Sequence, residues 1–156
     1  MESPRQPEAP SDWIRVSPDP ISVAALAARV EAPEAGAVSL FLGTVRDHSA
    51  GKEGVTHLEY EAYPQVAEGH IARIVAEARE RWPLIGVAVE HRVGSLAVGE
   101  ASVGVAVSSA HRAEGLEAVR YLIDELKARV PLWKKEHWPG GAEWVGPEAA
   151  APPPAD

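Results

Sequence analysis

Proline 131 divides two incompatible residue patterns, and that division constrains the fold more than any other feature. Before it, Leu116, Val119, Ile123, Leu126 and Val130 recur at the spacing of one helix face. A proline cannot continue that helix, so it ends near Val130 and the chain beyond Pro131 is extended. Lys127 lies one turn after Ile123 and borders the apolar stripe. In the extended segment Lys134 and Lys135 point to opposite faces, with Lys134 on the side of Leu132. The chain has four lysines, and three of them are these. Arginine keeps its proton near neutral pH, whereas a desolvated lysine can release it. The cluster therefore points to proton transfer, amine nucleophilicity or compact anion binding. The competing reading is surface charge, because cations suit a helix C-terminus.

The remaining pattern alternates strand pairs with helices. Trp13 to Val16 reads as a short strand, and a helix from about Ser22 to Glu31 turns Val23, Leu26 and Val30 inward. Ala37 to Arg46 alternates Val38, Leu40 and Leu42 with Ser39, Phe41 and Gly43. Apolar residues on both faces predict a central strand. Val55 to Tyr63 is a second strand, which could form a hairpin with the first. A helix then runs from Pro64 to about Trp82, with Val66, Ile71, Ile74, Val75 and Ala78 inward. Strands follow around Val87 to Gly94, at Ser102 to Ser109, and at Glu143 to Val145 after the last helix. The expected fold is α+β, with a largely antiparallel sheet and three main helices. Residues 12–145 form one domain; 1–11 and the Pro/Ala-rich 146–156 read as disordered.

Two further segments carry chemistry. Gly43-Thr44-Val45-Arg46-Asp47-His48 closes a buried strand with a dense polar group. Ser108-Ser109-Ala110-His111-Arg112 passes from a strand into a helix, where unpaired N–H groups attract anions. Cations at a helix N-terminus oppose its dipole, which favours an anionic ligand there over Ser109 acting merely as a cap. A net charge of −8 argues against nucleic-acid or anionic-membrane binding. No apolar run reaches a membrane span, the N-terminus lacks a secretory pattern, and the cytoplasm is the expected compartment. The chain has no cysteine, which excludes thiol nucleophiles, thiolate metal sites and persulfide carriers. Six histidines show no paired metal-ligand spacing, so no metal site is expected.

Taken together, Gly43 to His48, Ser109 to Arg112, and Leu126 to Glu136 closely resemble the catalytic (large) subunit of molybdopterin synthase. Leu58 to Tyr63, Arg81-Trp82-Pro83 and His91-Arg92-Val93-Gly94 resemble the same family, and the likeness spans roughly Trp13 to Val145. The resemblance implies an α/β hammerhead fold and a homodimer. It implies a small ubiquitin-like sulfur-carrier partner ending in a Gly-Gly thiocarboxylate. The implied reaction converts cyclic pyranopterin monophosphate to molybdopterin by inserting two sulfurs as a dithiolene, with no cofactor. By motif, Lys127 and Lys134 match the catalytic lysines. Thr44, Val45, Arg46, His111, Arg112, Lys135 and Glu136 match substrate-pocket residues. The lysine-free, arginine-free tail after Lys135 receives no catalytic role. The rival class is a non-catalytic anion- or nucleotide-binding regulatory module, which leaves the lysine cluster unexplained.

Overall fold

A computed structural model of the chain describes residues 12–49 and 52–145, with only the backbone of Lys52; the expected disordered ends lie outside these residues. The elements run β1 (Trp13–Ser17), α1 (Val23–Ala28), β2 (Ala37–Thr44), β3 (His48–Ser49), β4 (Lys52–Glu53) and β5 (His57–Glu61). They continue through α2 (Pro64–Arg81), β6 (Leu84–Arg92), β7 (Gly94–Ala97), β8 (Ala101–Ser109), α3 (Arg112–Arg129), β9 (Trp133–Trp138) and β10 (Gly141–Val145). One sheet has the order β1-β6-β8-β2, a second β10-β9-β5-β7, and β3 pairs with β4. The β1–β6 pair is parallel and all other pairs are antiparallel. This is the α+β fold with three helices that the pattern predicted.

Residue size in β6 and β8 sets the layers. Val87, Val89, Val105 and Val107 share a core with Ile71, Ile74 and Val75 of α2 and Leu122 and Ile123 of α3. The intervening Ala88 and Ala106 face the opposite way, where Leu26 and Val30 cover them. Small residues on that side let a six-residue helix lie close, and branched residues fill the deeper side. A third cluster of Val45, Val55, Leu58 and Leu96 lies under the second sheet. Helix α3 also passes tightly over the first sheet: a Cβ on Gly115 would come within 2.7 Å of Ser109 Oγ and 2.8 Å of Ser39 Oγ.

Several local expectations differ from the structure. β2 is an edge strand, paired only with β8; the six-residue α1 does not cover its whole face, and Val38 is 47% and Leu40 36% exposed. It forms no hairpin with β5, which belongs to the second sheet. Val23, Val66 and Leu116 are exposed rather than inward-facing. Each sits on the helix edge just beyond the covered stripe, where periodicity alone cannot say how wide the cover is.

Candidate active site

A cleft of about 690 Å³ opens where the two sheets meet beneath the C-terminus of α3. The end of β2 supplies Phe41 to Thr44, and Arg46 follows. A register shift between Gly43 and Thr44 loosens this end of β2 from β8, the usual way a strand re-aims its last side chains. The last turn of α3 supplies Lys127, and Pro131 and Leu132 line the passage to β9. β9 contributes Lys134 and Glu136, which alternate onto the cleft side with Leu58 and Tyr60 of the paired β5. Glu136 is 4% exposed and lines the same cleft as Arg46, Lys127 and Lys134.

Thr44, Arg46, Lys127, Lys134 and Glu136 are thus brought into one wall, although 83 residues separate Thr44 from Lys127. The other expected residues lie elsewhere. Val45 is buried in the third core cluster and fixed by backbone bonds, its N–H to the Glu100 carbonyl and its carbonyl from Gly99. Lys135 faces away, its Nζ 5.5 Å from the centre of the Trp144 ring. Trp133, on that same side of β9, is buried against Tyr63. His111 and Arg112 are exposed at the far end of α3, about 22 Å from Lys127 along the helix axis. The serines before them are structural: Ser108 Oγ accepts from the Gly86 N–H at a bulge in β6, and Ser109 Oγ donates to the His111 carbonyl. Neither hydroxyl is available to an anion.

Three cleft residues escaped sequence reasoning as site candidates: Tyr60, His91 and Ser102. His91 was visible only within the family-like segment His91-Arg92-Val93-Gly94, with no site role. Its ring is 5% exposed, and its Nδ1–H donates to the Arg92 carbonyl at 2.8 Å. Burial, and then the nearby charge of Lys127, hold its pKa down to about 4, against the backbone bond, which favours the cation. The ring is therefore neutral at pH 7 and presents Nε2 as an acceptor. Tyr60 meets this ring edge-on at 4.9 Å. Burial raises the Tyr60 pKa, the Glu136 charge adds to the rise, and a hydrogen bond with Ser102 opposes it. Arg129 also borders the cleft but is committed to Glu77, at 2.5 and 2.9 Å, and to Glu125. That grip, aided by the Tyr121 hydroxyl, lowers the Glu77 pKa to about 2. Arg129 is a clamp between α2 and α3, and Arg46, Lys127 and Lys134 are the other Lys and Arg residues lining the cleft.

This α+β fold is shared with solved proteins. The crystal structure of molybdopterin synthase from Staphylococcus aureus superposes with a TM-score of 0.80 at 38% identity, covering 85% of this chain and 96% of that one. The chain belongs to the MoaE protein family, whose model matches residues 16–129. The molybdopterin synthase catalytic subunit of Taeniopygia guttata is 48% identical over 138 residues, 88% of each chain. That of Bacillus subtilis is 45% identical over 131 residues, 84% of this chain and 83% of the relative. Among the described residues no helix is long and apolar enough to cross a membrane.

Proposed function

We propose that this chain is the catalytic subunit of a molybdopterin synthase acting in the cytoplasm. It binds cyclic pyranopterin monophosphate in the cleft and takes sulfur from the C-terminal thiocarboxylate of a small ubiquitin-like carrier. The observation that carries this reading is the convergence of Lys127, from a helix, and Lys134, from a strand, on one cleft with Arg46. The absence of cysteine agrees, because the sulfur must then arrive on another chain. Arg46 and Lys127 hold the phosphate as charge partners. Each transfer forms a bond from the carrier's sulfur to a substrate carbon and expels an oxygen from that carbon, as the cyclic phosphate's ester oxygen at one carbon and as water at the other. Water then cleaves the acyl–sulfur bond, and the carrier leaves as an ordinary carboxylate. A lysine supplies the proton to the phosphate oxygen released when the cyclic ester opens. Pro131 and Leu132 narrow the approach for an extended Gly-Gly tail.

The reading includes a homodimer in which His111 and Arg112 serve the partner's cleft. β2 offers a free edge with Val38 and Leu40 exposed beside it. Pairing β2 with its own copy about a two-fold axis reverses the strand, setting the Ala37 end of one copy beside the Thr44 end of the other. Ala37 is opposite Ser109, so His111 and Arg112 travel with that end. Mixing Lys134→Ala with Arg112→Ala protein tests this: complementary defects across the interface restore about a quarter of the sites in random dimers. No recovery would confine each site to one chain. The function itself is tested by supplying thiocarboxylated carrier and substrate and following dithiolene formation. Binding without turnover would favour the regulatory-module alternative.

A further inference from the structure

The face of β5 and β9 turned away from the cleft carries a second constellation. His57 and His137 stand directly opposite in the strand register. Their rings stack with centroids 4.1 Å apart and planes at 12°. Glu59, two residues along the same face of β5, brings a carboxylate oxygen to 3.4 Å from His137 Nε2. One donor atom from each of the three lies within 4.8 Å of the others. His137 Nε2 is enclosed and makes no hydrogen bond.

Thr56 Oγ1 lies 3.0 Å from His57 Nδ1 and 3.4 Å from the His137 carbonyl oxygen. That contact engages one ring nitrogen of His57 and leaves Nε2 for a ligand. A hydrogen bond at one imidazole nitrogen that orients the other is the usual support of a metal-binding histidine. In a tetrahedral zinc site with bonds near 2.0–2.1 Å, donor atoms stand about 3.3 Å apart. The three side chains are only partly exposed; donor atoms within 4.8 Å must close by up to about 1.5 Å, and one of the stacked rings must turn so that both in-plane lone pairs meet at one point.

We propose that His57, Glu59 and His137 form a binding site for a divalent transition-metal ion, zinc by the match of two imidazoles and one carboxylate, with water in the fourth position. The competing account is a cross-strand aromatic pair beside an ion pair. It leaves the enclosed His137 Nε2 with only the 3.4 Å carboxylate contact and gives no use for the Thr56 contact at His57 Nδ1. The metal stitches β5 to β9 from behind the strands that present Tyr60, Lys134 and Glu136 to the cleft. It is a structural clip and takes no part in sulfur transfer, so the proposal stands apart from the functional reading.

The test is zinc titration of the full, chelator-stripped chain against a chromophoric competitor, with cobalt(II) as a spectroscopic substitute. The expected result is one zinc per chain, a raised melting temperature on loading, and the intense visible bands of four-coordinate cobalt. Affinity should fall about tenfold or more in His57→Ala, His137→Ala and the near-isosteric Glu59→Gln. Glu59→Gln keeps the comparison meaningful if a histidine variant fails to fold. No stoichiometric zinc binding, or zinc binding unchanged in Glu59→Gln and His137→Ala, would overturn the site and leave only adventitious surface histidines.

Discussion

Acidification should destabilise this protein through His91 before its carboxylates respond. Folding holds the ring's pKa at about 4, against an ordinary 6.5. Between those values the unfolded chain binds a proton that the folded chain refuses, so stability falls as pH falls. The contribution is intact above pH 6.5, declines through the window and levels off below about 4. Lowering from 6.5 to about 4 corresponds to about 3 kcal/mol, most of which is gone by pH 4.5. Against a typical domain stability of about 5–15 kcal/mol this is a large fraction. The lowered Glu77 pKa, near 2, has the opposite chemistry but the same direction: its stabilisation is present above 4.5 and lost below, outside this window. The perturbation is His91→Asn, which keeps an N–H for the Arg92 carbonyl and removes the titration. Urea unfolding at pH 7.5, 6.5, 5.5 and 4.5 measures it for both proteins. The variant should start less stable, because a smaller side chain occupies a buried site, but its curve should be flatter across the window. Lys127→Met should also narrow the window, since that charge helps depress the ring. Parallel curves for wild type and His91→Asn would refute the argument, showing that the ring is hydrated or already protonated in the fold.

Lys134→Ala should abolish product formation with the fold intact, and Lys134→Arg should not restore it, because guanidinium keeps its proton; full activity in Lys134→Arg would mean that charge alone suffices. Lys135→Ala, on the opposite face, should show only a mild, salt-sensitive defect in turnover measured at two ionic strengths. Arg112→Ala should change stability by less than about 0.5 kcal/mol, as for other exposed positions, while weakening substrate binding by calorimetry. Ser108→Ala should cost about 1–3 kcal/mol in urea unfolding, because it leaves the buried Gly86 N–H without an acceptor.

The sequence by itself determined each element whose cause is local. Helical spacing and Pro131 placed the end of α3, and two-residue alternation assigned Lys134 and Lys135 to opposite faces; both follow from backbone geometry within a few residues. The lysines were legible as site candidates from this geometry, Arg46 from the polar end of a strand, and Glu136 only from the family resemblance. Only the tertiary structure decided which strands pair and how far a covering helix extends. It made β2 an edge and separated it from β5. It turned Val45 into core and used Ser108 and Ser109 to complete the backbone around them rather than a ligand site. It set His111 and Arg112 a full helix length from the lysines. It also brought His91 beneath Lys127 and opposed His57 to His137 across 80 residues of chain. Periodicity reports which way a side chain points relative to its own backbone. What it then meets depends on contacts between distant segments, which are settled by burial and hydrogen-bond pairing over the whole chain.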